Sequence, residues 1–200
     1  MIKPSELAPN SARVIRRIVE EVFEPEEVAV FEGDHTVAET LLTLPFDHIF
    51  FTGSPRVGRL VMEAAARHLA SVTLELGGKS PAVVDETADV AQAAAKIAWG
   101  KFTNAGQTCI APDYILVHRQ LHDALVEALR EQLETFYGPD AEAWAQSESY
   151  ARIVNDHHFA RLRLLYEDAL AKGAREAIGG PWRAAERFIP PTVLTHVPDE

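Results

Sequence analysis

Five short β-like runs alternate with stretches of helical periodicity, and a chain built this way has few folds open to it. The runs are VAVF at 28–31, HIFFT at 48–52, VTLEL at 72–76, AVVD at 82–85 and YILVH at 114–118. Between the second and third, Val57, Leu60, Val61, Ala64 and Ala65 recur at helical spacing, so an amphipathic helix is expected over 55–70. Further helices are expected over 90–104, rich in Ala and carrying Ile97, Trp99 and Phe102, and over 121–136 and 153–172. Strands that alternate with helices read as an α/β fold with a largely parallel sheet. The natural internal boundary is Gly77-Gly78, dividing the chain into 1–76 and 77–200. The stretch 188–200 holds Pro190, Pro191 and Pro198 around a VLTHV run and reads as a chain cut mid-domain, with no helix or strand to close it.

Composition narrows the function. A hydrophobic content of 47% over 200 residues supports a real core. No apolar run approaches the roughly 18 residues that span a bilayer, and the first residues, MIKPSELAPNSARVIRR, lack the apolar stretch of a secretory signal, so the expectation is a cytoplasmic protein without a membrane partner. A net charge of −11 argues against a nucleic-acid partner, because a polyanion needs a positive face to displace its counterions. The single cysteine excludes an internal disulfide and a Cys-rich zinc site. None of the eight histidines falls in a metal-binding spacing, so no metal is expected. By composition alone the cysteine reads as inert core filling, and Trp99 and Trp182 read as packing residues.

Three segments could carry chemistry. FTGSPRVG at 51–58 follows a strand and opens a helix, with Ser54 placed as N-cap and Pro55 at the first helical position. Free N–H groups and the positive end of the helix dipole suit a phosphate there, and Gly53 has no side chain to hold one away. A well-capped helix that binds nothing reads equally well, and the segment is not GxGxxG. In TLELGGKSP at 73–81, Glu75 sits at the end of an apolar strand, where flanking Leu74 and Leu76 would desolvate it and raise its pKa toward the range of a general base. An ion pair with a neighbour such as Lys79 reads equally well. KFTNAGQTCIAP at 101–112 puts Cys109 in a loop beside Gly106, where a thiolate has an approach path, although no cation lies next to it in sequence.

Taken together and in order, KPSE at 3–6, FTGSPRVG at 51–58, LELGGKSP at 74–81 and FTNAGQTCIAPDY at 102–114 resemble the aldehyde dehydrogenase superfamily, most closely its class 3 and coniferyl aldehyde dehydrogenase branch. The cysteine follows the glutamate by 34 positions (109 minus 75). The resemblance implies an α/β fold with a Rossmann-like cofactor-binding part followed by part of a catalytic domain. It implies that Cys109 attacks an aldehyde to give a thiohemiacetal and then a thioester, that Glu75 activates the hydrolytic water, and that the Cys109 backbone N–H contributes to the oxyanion hole. Gly53, Ser54, Val57 and Gly58 would contact a pyrophosphate, the Leu76 backbone would lie near the nicotinamide, and Lys3 and Glu6 would face the adenine ribose. Glu6 tilts the cofactor toward NAD, with NADP possible. Parent enzymes of this kind are homo-oligomers.

The same resemblance implies what the 200 residues do not contain. The family's oxyanion-hole asparagine precedes the KPSE motif, and its nicotinamide-ribose glutamate follows the PTVL segment. The chain is therefore expected to be a fragment or truncated form. Competing readings are a non-catalytic remnant that binds nucleotide or pairs with another chain, and an acylating or phosphorylating dehydrogenase. Glu75 argues for water over the latter.

Overall fold

Gly77 ends one unit of the chain and Gly78 begins the next: the computed structural model, which describes residues 1–198, resolves into Met1–Gly77 and Gly78–Glu200. The last two residues of the 188–200 stretch lie outside the described residues.

In the first unit, helices α1 (Pro9–Val22) and α2 (His35–Leu41) precede strand β1 (His48–Gly53), helix α3 (Pro55–Ala66) and strand β2 (Ser71–Leu76). β1 and β2 pair in parallel, from His48 opposite Ser71 to Gly53 opposite Leu76. The connecting helix α3 buries Gly58, Val61 and Ala65, one stripe at the i, i+3, i+7 spacing that faces a sheet. It stops at Ala66, four residues short of the expected end. Leu69 adopts φ 55, and Ala70 N–H returns to the Ala65 carbonyl at 3.0 Å, which closes the helix as a glycine ordinarily would. The VAVF run forms no extended strand. It makes one parallel bridge, Val30 with Ile2, before the chain turns at Gly33 into α2.

The second unit contains strand β3 (Ser80–Val84), helix α4 (Val90–Phe102), strand β4 (Pro112–Val117), helices α5 (His122–Tyr137), α6 (Ala141–Gln146) and α7 (Asp156–Ala171), and strands β5 (Arg175–Ile178) and β6 (Val193–Thr195). β3 and β4 are parallel, with α4 as their crossover. β5 and β6 are antiparallel, which corrects the expectation that the VLTHV run closes on nothing: Arg175 pairs with Thr195 and Glu176 with Leu194. Among the described residues, the expected largely parallel sheet is thus three two-stranded ladders, two parallel and one antiparallel. The core joins Val84 of β3, Ala94, Ile97, Ala98 and Phe102 of α4, and Leu125, Leu129 and Leu133 of α5 to Trp144, Tyr150, Ile178 and Phe188. Trp99 departs from expectation. It lies off the Ala94–Ala98–Phe102 stripe of its helix and is 68% exposed, whereas Trp182 does pack, with its ring centroid 5.7 Å from Phe159 and 5.1 Å from Tyr166. Among the described residues no helix is long and apolar enough to cross a membrane.

Candidate active site

In the first unit, the end of β1 passes directly into the capped start of α3. Ser54 Oγ accepts from Val57 N–H at 3.3 Å, and Pro55, which has no N–H to satisfy, occupies the first helical position. Gly53 has a local reason to be glycine: a Cβ there would stand 2.5 Å from the Phe51 ring. Gly58 has another, since a Cβ would meet Leu76 Cδ2 at 3.1 Å and Leu74 Cδ1 at 3.6 Å, so its absence brings α3 close against β2. Ser54, Val57, Gly58 and Leu76 are therefore gathered around one strand-helix junction.

That packing also overturns the expectation that Leu74 and Leu76 desolvate Glu75. Alternate residues of a strand face opposite ways. The two leucines turn toward Gly58 of α3, while Glu75 between them is exposed in its unit. Lys79, the alternative partner for Glu75, pairs with Asp113 at 2.8 Å in the second unit.

Lys3 and Glu6 meet directly. Lys3 Nζ donates to Glu6 Oε2 at 2.8 Å, and this bond holds the Glu6 carboxyl below its ordinary range. The segment that carries them starts from the Ile2–Val30 bridge, where Ile2 N–H donates to Ala29 O and Phe31 N–H to Ile2 O, each at 2.8 Å.

In the second unit, α4 ends at Phe102 and the chain takes three consecutive left-handed residues, Asn104 (φ 53), Ala105 (φ 52) and Gly106 (φ 76). It then makes a tight turn in which Ala111 N–H returns to the Thr108 carbonyl at 3.1 Å. Cys109 sits inside that turn and is exposed, so the thiol is not core filling. Its carbonyl oxygen would lie 3.5 Å from a Cβ placed on Gly78, which brings that glycine against the cysteine turn. A cation does reach this loop. Lys101 folds back so that a Cβ on Gly106 would stand 3.7 Å from its ammonium, and Asp113 lies 3.7 Å from the same group. Burial holds the Lys101 amine below the usual lysine range, against the opposing pull of Asp113.

Sequence reasoning quoted Gln107 within its motif without giving it work. The structure gives its side chain three hydrogen bonds: Nε2 donates to the carbonyls of Asn104 and Arg152, each at 3.0 Å, and Oε1 accepts from Val154 N–H at 2.9 Å. A contact 45 to 47 residues away has no local signature from which it could have been read.

Comparison with known proteins agrees with this architecture. The model of the aldehyde dehydrogenase family matches residues 1–200. The chain is 50% identical over 197 residues to 4,4'-diaponeurosporen-aldehyde dehydrogenase of Staphylococcus aureus, covering 98% of this chain and 42% of that protein. It is 44% identical to aldehyde dehydrogenase family 3 member A2 of Mus musculus, again over 98% of this chain and 39% of the relative, which agrees with the class 3 resemblance. Among solved structures, substrate-bound AldH of Staphylococcus aureus superposes with a TM-score of 0.89 at 49% identity, covering all of this chain and 42% of that one. Lactaldehyde dehydrogenase superposes at 0.88 with 30% identity over the same shares. The chain spans less than half the length of these relatives, and its α/β architecture is that of part of their fold. With motifs, fold and relatives in agreement from end to end, the chain belongs to the aldehyde dehydrogenase family.

Proposed function

We propose that the chain carries the nucleophile and part of the cofactor site of an enzyme that oxidises an aldehyde to a carboxylic acid with NAD(P)+. The observation that carries this reading is the exposed Cys109 thiol, the only cysteine, held on a tight turn after a strained loop in a chain of this family. A thiol there has an approach path that a core cysteine lacks.

In this reading the Cys109 thiolate attacks the aldehyde carbonyl carbon, and the resulting oxyanion is met by the Cys109 backbone N–H. Bound NAD(P)+ supplies the hydride acceptor. With hydride gone, the acyl group remains on Cys109 as a thioester. Glu75 takes a proton from water, whose oxygen attacks the thioester carbonyl, and the carboxylic acid leaves as the thiolate is restored. The residues present fit a dinucleotide: Ser54 caps a 12-residue helix whose start offers N–H groups and a positive dipole end to the pyrophosphate, and Gly53 keeps the approach clear. Val57 and Gly58 belong to the same turn, the Leu76 backbone is assigned to the nicotinamide side, and Lys3 and Glu6 to the adenine ribose. NAD is favoured because an ionised Glu6 accepts from ribose hydroxyls and repels a 2′-phosphate. NADP stays open, since a Rattus norvegicus relative 44% identical to the chain is named a dimeric NADP-preferring aldehyde dehydrogenase. That name also supports self-association of the parent enzyme.

A second reading has its own support in length: at about 42% of its relatives, the chain could bind nucleotide or pair with another chain without turning over. Incubating the protein with NAD or NADP and a panel of aliphatic and aromatic aldehydes separates the two. Turnover that Cys109→Ala abolishes, and that Glu75→Gln stalls after one acylation, supports the enzyme. Nucleotide binding without turnover supports the second reading, and turnover that survives Cys109→Ala overturns the first.

A further inference from the structure

We infer that Gln107 is a positioning residue whose side-chain amide clamps the Cys109 turn to the backbone on either side of Ile153. The inference deepens the reading of Cys109 as nucleophile and rests on it. The amide grips two backbone groups of one short segment: Nε2 donates to the Arg152 carbonyl at 3.0 Å, and Oε1 accepts from Val154 N–H at 2.9 Å. These are the carbonyl and N–H that a neighbouring β-strand would pair with, so the side chain stands in for a strand's peptide group. The partners fix its orientation, because a carbonyl only accepts and an N–H only donates.

The clamped segment is itself firmly held. Ile153 is buried, and its N–H donates to the Arg187 carbonyl at 3.0 Å. The Arg152 guanidinium lies 4.9 Å above the ring of fully buried Phe188 and donates to the Tyr150 carbonyl at 3.0 Å and to that of Ala145. On the other side of the clamp the loop carries its own strain. Asn104 and Ala105 are left-handed without being glycine, a conformation that persists only where surrounding contacts enforce it. Gln107 supplies such contacts, since Nε2 also donates to the Asn104 carbonyl at 3.0 Å, Gln107 N–H donates to the same carbonyl at 3.1 Å, and Asn104 Nδ2 donates to the Gln107 carbonyl at 3.2 Å. Two residues later comes the thiol. Without the clamp, the loop is free to relax toward ordinary right-handed or extended backbone, and Cys109 samples several positions in place of one.

The only cysteine gives a unique reporter. With Cys109 alkylated by a trifluoromethyl ketone reagent, the native chain is expected to show one narrow fluorine resonance. Gln107→Ala is expected to split that line or broaden it by about twofold or more, as a loop exchanging between positions does. Hydrogen exchange should rise at residues 104–111 while the amides of Leu125, Leu129 and Leu133 stay protected. Gln107→Glu distinguishes a clamp from a space-filler. As a neutral acid it can both donate to Arg152 O and accept from Val154 N–H, whereas the carboxylate cannot donate and faces two carbonyl oxygens. Its line should therefore be narrow at about pH 4, below the ordinary glutamate value, and broad at about pH 8, a titration that the native chain lacks. A native line in Gln107→Ala, or a line in Gln107→Glu that does not change with pH, overturns the inference. If Gln107→Ala unfolds throughout, the titration of Gln107→Glu decides alone. None of these readouts requires aldehyde or nucleotide, so the proposed reaction could fail while the clamp stands.

Discussion

Lys3 Nζ lies 2.8 Å from Glu6 Oε2, so the two ends of the KPSE segment are tied to each other and the carboxylate is kept ionised. A negative group placed against a ribose edge discriminates by repulsion as well as by hydrogen bonding. Replacing it with Glu6→Gln keeps the shape and an acceptor, removes the like charge and frees Lys3. The affinity ratio of NADP to NAD is expected to rise by roughly tenfold at low salt, an effect of the size that one charge contributes near a protein surface, and to shrink as salt screens it. Titration calorimetry with the two nucleotides measures it. An unchanged ratio would remove Lys3 and Glu6 from the ribose site.

Ala105 and Gly106 are neighbours with positive φ, yet substitutions at the two should differ in cost. At φ 52, Ala105 has a Cβ in the left-handed region, so Ala105→Gly removes strain worth about 1 kcal/mol, which the lost packing of a methyl group against the core and the added freedom of the unfolded chain offset to within about 1 kcal/mol of neutral. Gly106→Ala adds that strain at φ 76 and places a Cβ 3.2 Å from the Lys101 carbonyl, so it should cost more than about 1 kcal/mol. Urea denaturation followed by far-ultraviolet circular dichroism compares the pair, and an Ala105→Gly that costs as much as Gly106→Ala would contradict the loop conformation.

How far the sequence could be read differs from place to place for physical reasons. The start of α3 was legible because capping is local: Ser54 and Pro55 are adjacent and each has one strong reason to be there. Its end was not, because Leu69 takes the left-handed position that usually announces itself as glycine. β5 and β6 were invisible to periodicity, being four and three residues long and paired across an intervening loop. The environment of Glu75 was misread by counting neighbours along the chain when a strand sends them to the opposite face. The motif carrying Cys109 is local and legible, whereas the clamp on it is not, since the partners of Gln107 lie 45 and 47 residues further along the chain.

Phe188 offers the sharpest test of the second unit's core. It is fully buried, 6.0 Å from the Tyr150 ring centroid, with the guanidinium groups of Arg152 and Arg183 at 4.9 and 5.9 Å. Phe188→Ala removes a large apolar side chain and leaves a cavity roofed by two cations, at a cost of about 3–5 kcal/mol. That is a large share of a domain's usual margin of stability. The variant is expected to lose its cooperative thermal transition or shift it down by many degrees. Phe188→Leu, which keeps most of the volume, should lose much less.

Tyr166 of α7 donates to Glu176 Oε2 of β5 at 2.6 Å, tying the helix to the strand that follows it. That bond, with a smaller contribution from burial, pushes the phenol up to about 12 from its usual value near 10. A phenol whose folded pKa is raised stabilises the fold fully below the unfolded value, and the contribution is lost as pH rises toward the folded one. The stability difference between the native chain and Tyr166→Phe should therefore be constant from about pH 7 to 9 and narrow steadily between about pH 10 and 12. Glu176→Gln should weaken that pH dependence, because an amide oxygen accepts from the phenol less strongly than a carboxylate does. Urea midpoints across the alkaline range measure all three proteins. A difference that widens above pH 10 would have the opposite sign from the one the hydrogen bond dictates, and would place the phenolate, not the phenol, in the favoured state.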